Sequence, residues 1–277
     1  MRDGKLSFTP FEDVNEILGV LLQEIRGVLT DQFVGMYLHG SLAIGDFNPD
    51  TSDIDFLVVT GNKISEQCMA SLMAMHSRIA SIDSTWSSEL EGSYIPRDAV
   101  RRYNPADCHH PRLERGETLR IESHDSDWVI QRHIIYHHGV VIAGPPPKDL
   151  IDPVLPDDVR QAVLDLLWWW ELQLADTSLI QVSGYRTYAI LTMCRILYTL
   201  EHGTIVTKPT AARWAEDTLG ERWSDLIGKA LRWRSGKSMA GLDEVMAFIQ
   251  FTLDQAGHTG KASVGGNISV DSEVGQG

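Results

Sequence analysis

Two aspartates one residue apart, Asp53 and Asp55, open the apolar run Phe56-Leu57-Val58-Val59, and the pair Gly40-Ser41 closes the preceding run Met36-Tyr37-Leu38. In a strand, side chains alternate faces, so Asp53 and Asp55 point one way while Ile54, Phe56 and Val58 point the other. Carboxylates two residues apart on a strand lie about 7 Å from each other. That spacing suits Mg²⁺ carrying a polyphosphate, because Mg²⁺ takes few protein ligands and completes its shell with water and phosphate oxygens. Glycine lets a backbone approach a phosphate closely, and the serine offers a hydroxyl and an N–H at an expected helix start. The chemistry these residues can do is binding of a nucleoside triphosphate. Ser52, just upstream, either donates to a phosphate or simply leads the strand.

A third carboxylate follows. Over residues 86–95, read as a strand, Ser87, Glu89, Glu91 and Ser93 share one face. Beside the aspartate strand, an acid on that face can accept a hydroxyl proton, an effect of about 10²–10⁴-fold in rate. A period of two does not separate Glu89 from Glu91.

These groups need a scaffold. Phe11, Val14, Ile17, Leu18, Leu21, Leu22, Ile25 and Val28 recur at helical spacing and predict an opening amphipathic helix. Strands are expected over 33–39 and 54–60, a helix over 63–80, a long loop over 104–116 where Pro105 and Pro111 fall, a helix over 127–138 and a short strand over 140–142. The run Gly144-Pro145-Pro146-Pro147 stops regular structure. Beyond it helices are expected over 157–175, 184–202, 208–219, 222–233 and 239–255. The division is therefore 1–150 as an α/β domain and 151–255 as an all-α helical bundle. The Gly/Ser-rich stretch 256–277 reads as a disordered tail. Trp168-Trp169-Trp170 reads as filling for the bundle core and its interface. His133 and His137, four apart on one helix, form a pair with no obvious third zinc ligand.

Gly40-Ser41 followed by Asp53 and Asp55 resembles the nucleotidyltransferase signature. The likeness continues through Leu90-Glu91, the helix around Leu191–Leu200, Gly203, Ile205-Val206-Thr207-Lys208 and Ala211-Ala212-Arg213-Trp214. Over roughly residues 30–235 the chain is similar to aminoglycoside adenylyltransferases of the streptomycin/spectinomycin, (3'')(9), type. This resemblance implies a nucleotidyltransferase domain with a small mixed sheet, followed by a C-terminal helical bundle. It implies transfer of AMP from ATP to a hydroxyl of a cationic antibiotic, with release of pyrophosphate, and hence antibiotic resistance. It also implies one Mg²⁺, or in full complement two, on Asp53, Asp55 and Glu91, and it selects Glu91 over Glu89 as the base. Gly40, Ser41, Ser52, Arg195, Lys208 and Trp233 are the implied nucleotide contacts, with Trp233 read equally as a core residue. Glu91 and Tyr185 are the implied acceptor contacts, Tyr185 standing where the family carries an acidic residue. The alternatives are the same chemistry on another small-molecule or protein hydroxyl, and an ATP-binding regulator without catalysis.

The 277 residues, 43% hydrophobic, can bury one large core or two smaller ones. A formal charge of -14 disfavours nucleic acid and favours cationic partners. No apolar run approaches a membrane span, Met1-Arg2-Asp3-Gly4 opens no signal peptide, and three cysteines without paired spacing fit a reducing cytoplasm. Monomer and dimer stay open.

Overall fold

The computed structural model describes residues 7–50, 52–234, 237–239 and 241–264, with 258–264 described by backbone only. The chain groups into two compact units, Met1–Ala162 with Ile205–Thr207, and Val163–Thr204 with Lys208–Gly277.

The first unit runs α1 (Glu12–Leu29), β1 (Phe33–Leu38), α2 (Gly40–Ile44), β2 (Ile54–Thr60), α3 (Glu66–Ala80), β3 (Leu90–Pro96), α4 (Arg97–Arg101), β4 (His109–Leu113), β5 (Arg120–Ser123), α5 (Asp127–His138), β6 (Val140–Ala143), α6 (Pro147–Leu150) and α7 (Pro156–Asp165). Its six strands form one mixed sheet in the order β5-β4-β3-β2-β1-β6. Among the described residues only β2 and β3 pair in parallel; the other neighbours in this sheet are antiparallel.

Alternation along the strands sorts the sheet into two faces. Met36, Leu38, Ile54, Phe56, Val58, Leu90 and Tyr94 pack with Val14, Ile17, Leu18, Leu21 and Ile25 of α1 and Leu72, Met75 and Ile79 of α3. Each such side chain contributes roughly 1.5–3 kcal/mol on full burial, so this face carries most of the unit's cohesion. On the other face Tyr37, Leu57, Val59 and Ile95 pack with Trp128 and Ile135 of α5. Asp55 and Glu91 are in phase with this second face. The apolar face thus fixes the strand register, and the register fixes where the carboxylates stand.

Two expectations for the strands of this unit need correction. The strand expected over 86–95 begins at Leu90, because residues before it are turned back: the Ser87 hydroxyl donates to the carbonyls of Ile82 and Ser84, and the Trp86 indole N–H donates to Asp13 at 2.7 Å. The loop expected over 104–116 contains β4, which forms a hairpin with β5 around Gly116 (φ +73°). Pro111 lacks a donor, and the ladder of β4 with β3 spans only Leu113 and Arg112, stopping short of it. The division of the units falls within α7, where Val159 packs with Ile134 of α5 and Ile205.

The second unit contains α8 (Leu167–Ala175), α9 (Ser183–His202), α10 (Lys208–Thr218), α11 (Glu221–Arg232) and α12 (Leu242–Val264). The helix expected over 157–175 breaks at Leu166, giving α7 and α8. Of the three consecutive tryptophans only Trp170 is buried; Trp168 and Trp169 are exposed, because adjacent helical positions point in different directions. Gly203 (φ +66°) ends α9 in a left-handed cap. Helix α12 continues to Val264, well into the stretch expected as a disordered tail from 256; residues 265–277 lie outside the described residues. Among the described residues no helix is long and apolar enough to cross a membrane.

Candidate active site

The parallel pairing of β2 and β3 sets Asp55 directly opposite Glu91, one rung after Ile54 opposite Leu90. Asp53 lies just before β2, and its charge acts on Glu91 strongly enough to help raise the Glu91 pKa. Burial is the larger cause of that rise; the nearby Arg112 guanidinium opposes it.

The Gly-Ser turn sits against the same strand. The His39 N–H donates to the Asp55 carbonyl at 3.1 Å, extending the β1–β2 ladder by one rung, and α2 starts immediately after. Gly40 adopts φ +57°, and a Cβ there would overlap the Asp55 carboxylate. Only glycine allows both the left-handed backbone and the close approach. The Ser41 Oγ is buried and makes no hydrogen bond among the described residues. An orphaned hydroxyl one residue after the Gly40–Asp55 contact fits a phosphate or metal-bound oxygen as its partner. Ser52 ties down the preceding loop, its hydroxyl accepting the Asn48 N–H at 3.0 Å.

Glu89 and Glu91, inseparable by periodicity, separate in space. Glu89 lies before the strand and pairs with Arg115 at 2.5 Å, while Glu91 faces Asp55. Glu91 Oε1 accepts a hydrogen bond from Arg112 Nη2 at 3.2 Å. Among the described residues no three His, Cys, Asp or Glu side chains stand together as a metal set. Two carboxylates with phosphate oxygens remain an ordinary Mg²⁺ environment. His133 and His137 stack at 4.6 Å between ring centroids, and no third ligand joins them.

Polar groups join the sheet face of Glu91 beside its apolar cluster: His124 Nε2 lies 2.8 Å from the Ser93 hydroxyl, two residues along β3 from Glu91. The rings of His110, His124 and Trp128 follow one another at 5.3 and 4.8 Å, and His39 meets Trp128 at 6.2 Å. Burial lowers the pKa of His39 and His124 to about 4, so both are neutral near neutrality. Asp127, the first residue of α5, is raised by burial to about 6, with Arg112 opposing the rise. Arg112 lies on β4, a segment whose prolines and charges read as loop; Gly116 between alternating residues is the turn signal that reveals the hairpin.

In the helical unit, α9 carries Arg195, while Lys208 and Trp233 lie against other positions of the same helix. Tyr188 and Arg195 are seven residues apart, two turns along one face. Lys208, opening α10, places its Nζ 4.2 Å from the centre of the Tyr188 ring. Tyr185 lies 5.5 Å from Tyr188, and Trp170 lies 6.1 Å from it. Trp233 packs its ring near Gly184 at the start of α9, and its indole N–H donates to the Lys237 carbonyl at 2.8 Å.

Residues 22–136 match the model of the nucleotidyltransferase domain, and residues 149–255 match that of the aminoglycoside adenylyltransferase C-terminal domain. A spectinomycin 9-adenylyltransferase of Campylobacter jejuni is 26% identical, over 79% of this chain and 83% of that protein. An aminoglycoside (3'') (9) adenylyltransferase of Klebsiella pneumoniae is 25% identical, over 78% and 82%. The fold matches a solved Enterococcus spectinomycin adenyltransferase, crystallised with ATP and spectinomycin, with a TM-score of 0.69 at 21% identity, over 87% of this chain and 98% of that one.

Proposed function

We propose, for a chain that belongs to the nucleotidyltransferases of the aminoglycoside adenylyltransferase type, that it moves AMP from ATP to a hydroxyl of an aminoglycoside or aminocyclitol antibiotic. The observation that carries this reading is the meeting of Asp55, Glu91 and Gly40 at the shared start of two parallel strands.

Gly40 and Ser41 receive phosphate oxygens through the backbone and the orphaned hydroxyl. Arg195 and Lys208 supply positive charge to the triphosphate, Lys208 as a point charge. Mg²⁺ held by Asp53 and Asp55 would neutralise charge on the transferring and leaving oxygens. Glu91 accepts the proton of the acceptor hydroxyl, whose oxygen bonds to the α-phosphorus as the bond to the bridging oxygen breaks and pyrophosphate leaves. Positioning provides much of the remaining acceleration.

The acceptor side differs from an acidic pocket. Tyr185 offers an aromatic face, and cation–π attraction of roughly 0.5–2 kcal/mol replaces a charge-assisted bond of about 1.5–3 kcal/mol. We infer a weaker hold on guanidinium-bearing acceptors, so spectinomycin is expected to be modified at higher kcat/KM than streptomycin.

The test is mass spectrometry of an antibiotic mixture incubated with the protein, ATP and Mg²⁺. An AMP adduct of an aminocyclitol with matching pyrophosphate release is expected. No pyrophosphate release with any acceptor would instead identify an ATP-binding regulator.

A further inference from the structure

Arg112 is the unexpected charge in the carboxylate-rich site, and its surroundings hold it firmly. Its Nη2 lies 3.2 Å from Glu91 Oε1 and 3.7 Å from Glu114 Oε1, while its Nε lies 3.9 Å from Glu122 Oε2. The Asp127 carboxylate of α5 adds to the field on the guanidinium. These partners come from β3, the end of β4 and the turn beyond it, β5 and α5, so the guanidinium is restrained from several directions. Register explains the reach: Arg112 pairs with Ser93, two residues along the same strand face from Glu91. Planar guanidinium donors fix a carboxylate's orientation better than an ammonium does.

A carboxylate beside Asp53 and Asp55 has two available fates. It can turn toward a cation as a third ligand, or it can be held toward the acceptor as a base. In the structure Glu91 Oε1 is engaged by Arg112, and no three-carboxylate metal set is assembled among the described residues. We propose that Arg112 is a positioning residue that reserves Glu91 for the acceptor hydroxyl and keeps it out of the metal shell of Asp53 and Asp55. One Glu91 oxygen is anchored by Arg112, and the other receives the proton. This inference rests on the transfer reaction proposed above.

The experiment compares the full-length protein with Arg112→Met and Arg112→Lys, each alone and combined with Glu91→Gln. Thermal unfolding first establishes that each variant is folded; Arg112→Gln stands in for any that is not. Arg112→Met is expected to lower kcat by about 10²-fold while KM for ATP stays within about twofold, as for loss of oriented general-base catalysis. Arg112→Lys is expected to recover part of that loss. In the Glu91→Gln background, removing Arg112 is expected to cause little further loss, the mark of two residues acting as one device. A second readout is independent of turnover: Mn²⁺ affinity measured by electron paramagnetic resonance. It is expected to rise about tenfold in Arg112→Met, as a freed carboxylate joins the cation. With Glu91→Gln also present, it should stay unchanged. Equal losses with and without Glu91, wild-type kcat in Arg112→Met, or unchanged Mn²⁺ affinity would each overturn the inference. Failure of the wild-type protein to transfer AMP would sink the functional reading instead, and is told apart by that control.

Discussion

The two units solve burial in different ways. In the sheet unit the buried polar groups among the described residues include His39, His76, His110, His124, His133 and Arg132, and their ordinary pKa values are displaced. In the helical unit the buried polar groups among the described residues are the uncharged Gln173, Thr187, Thr192, Thr199 and Thr252. Several of these threonines bond within their own helix: Thr187 to Ser183, Thr199 to Arg195 and Thr252 to Phe248. A helix satisfies its own backbone and can be filled with aliphatic groups, while its cations ride on the surface or half-bury along a face. A sheet presents fixed, alternating positions to one covering helix, so it can hold carboxylates, imidazoles and a guanidinium at set distances. Chemistry that needs positioned charge belongs on the sheet, and capture of a ligand's charge can be left to helices.

The largest expected effects would sharpen that contrast. Asp55→Asn should abolish transfer by about 10³-fold or more, since it removes a metal-binding charge at the reacting centre. Glu91→Gln should cost about 10²–10⁴-fold in kcat with ATP binding retained, as measured by calorimetry. By contrast Lys208→Ala should act chiefly on binding, raising KM for ATP about tenfold with a smaller change in kcat. A Lys208 variant losing kcat and keeping its KM would erase the division of labour.

Gly40→Ala comes next. The left-handed backbone alone disfavours a Cβ by roughly 1–2 kcal/mol, and the new methyl would displace the Asp55 carboxylate. Transfer should fall further than stability, measured as kcat against Tm; an unchanged kcat would mean that the turn does not set the carboxylate.

The response to pH separates the units through stability. His39, His76, His124 and His133 have folded pKa values lowered to about 4, against 6.5 ordinarily. Between those values the unfolded chain binds protons that the folded chain refuses. Their contribution is complete above pH 6.5 and is lost as pH falls toward about 4, on the order of 1.4 kcal/mol per pKa unit per group. Asp127, raised from 3.8 to about 6, has the opposite sign: its contribution is present below its ordinary value and lost as pH rises through about 6. The histidines outnumber it, so the sheet unit should loosen on acidification before the helical unit does. Hydrogen exchange read by mass spectrometry from pH 7 to pH 4 tests the order, and uniform loss of protection would refute it.

The smallest effect is expected at Trp233. Its indole is already hydrogen-bonded within the helical unit, so Trp233→Phe should leave stability near wild type and raise KM for ATP only a few-fold.

How far the sequence could be read varies with the element. Helices with full amphipathic stripes, such as α1, were legible because side chains every three or four residues must share a buried face. β2 was legible from alternation, and with it the face on which Asp55 stands. β4 was not, because Pro111 and its charged neighbours imitate a loop, and the strand is held only by a short ladder on one side and a hairpin on the other. The break at Leu166 was hidden in an unbroken helical composition.

By itself the sequence determined the local parts: a Gly-Ser turn before an Asp-x-Asp strand, a helical second half, and an acidic residue near position 90. Those follow from short-range sterics and periodicity. The resemblance favours Glu91 over Glu89, but tertiary structure decided that Glu91 stands opposite Asp55, that Ser41 is left with an orphaned hydroxyl, and that Arg112 grips Glu91. Strand register and the pairing of β4 with β3 join residues far apart in the chain, and no local pattern encodes which rung meets which.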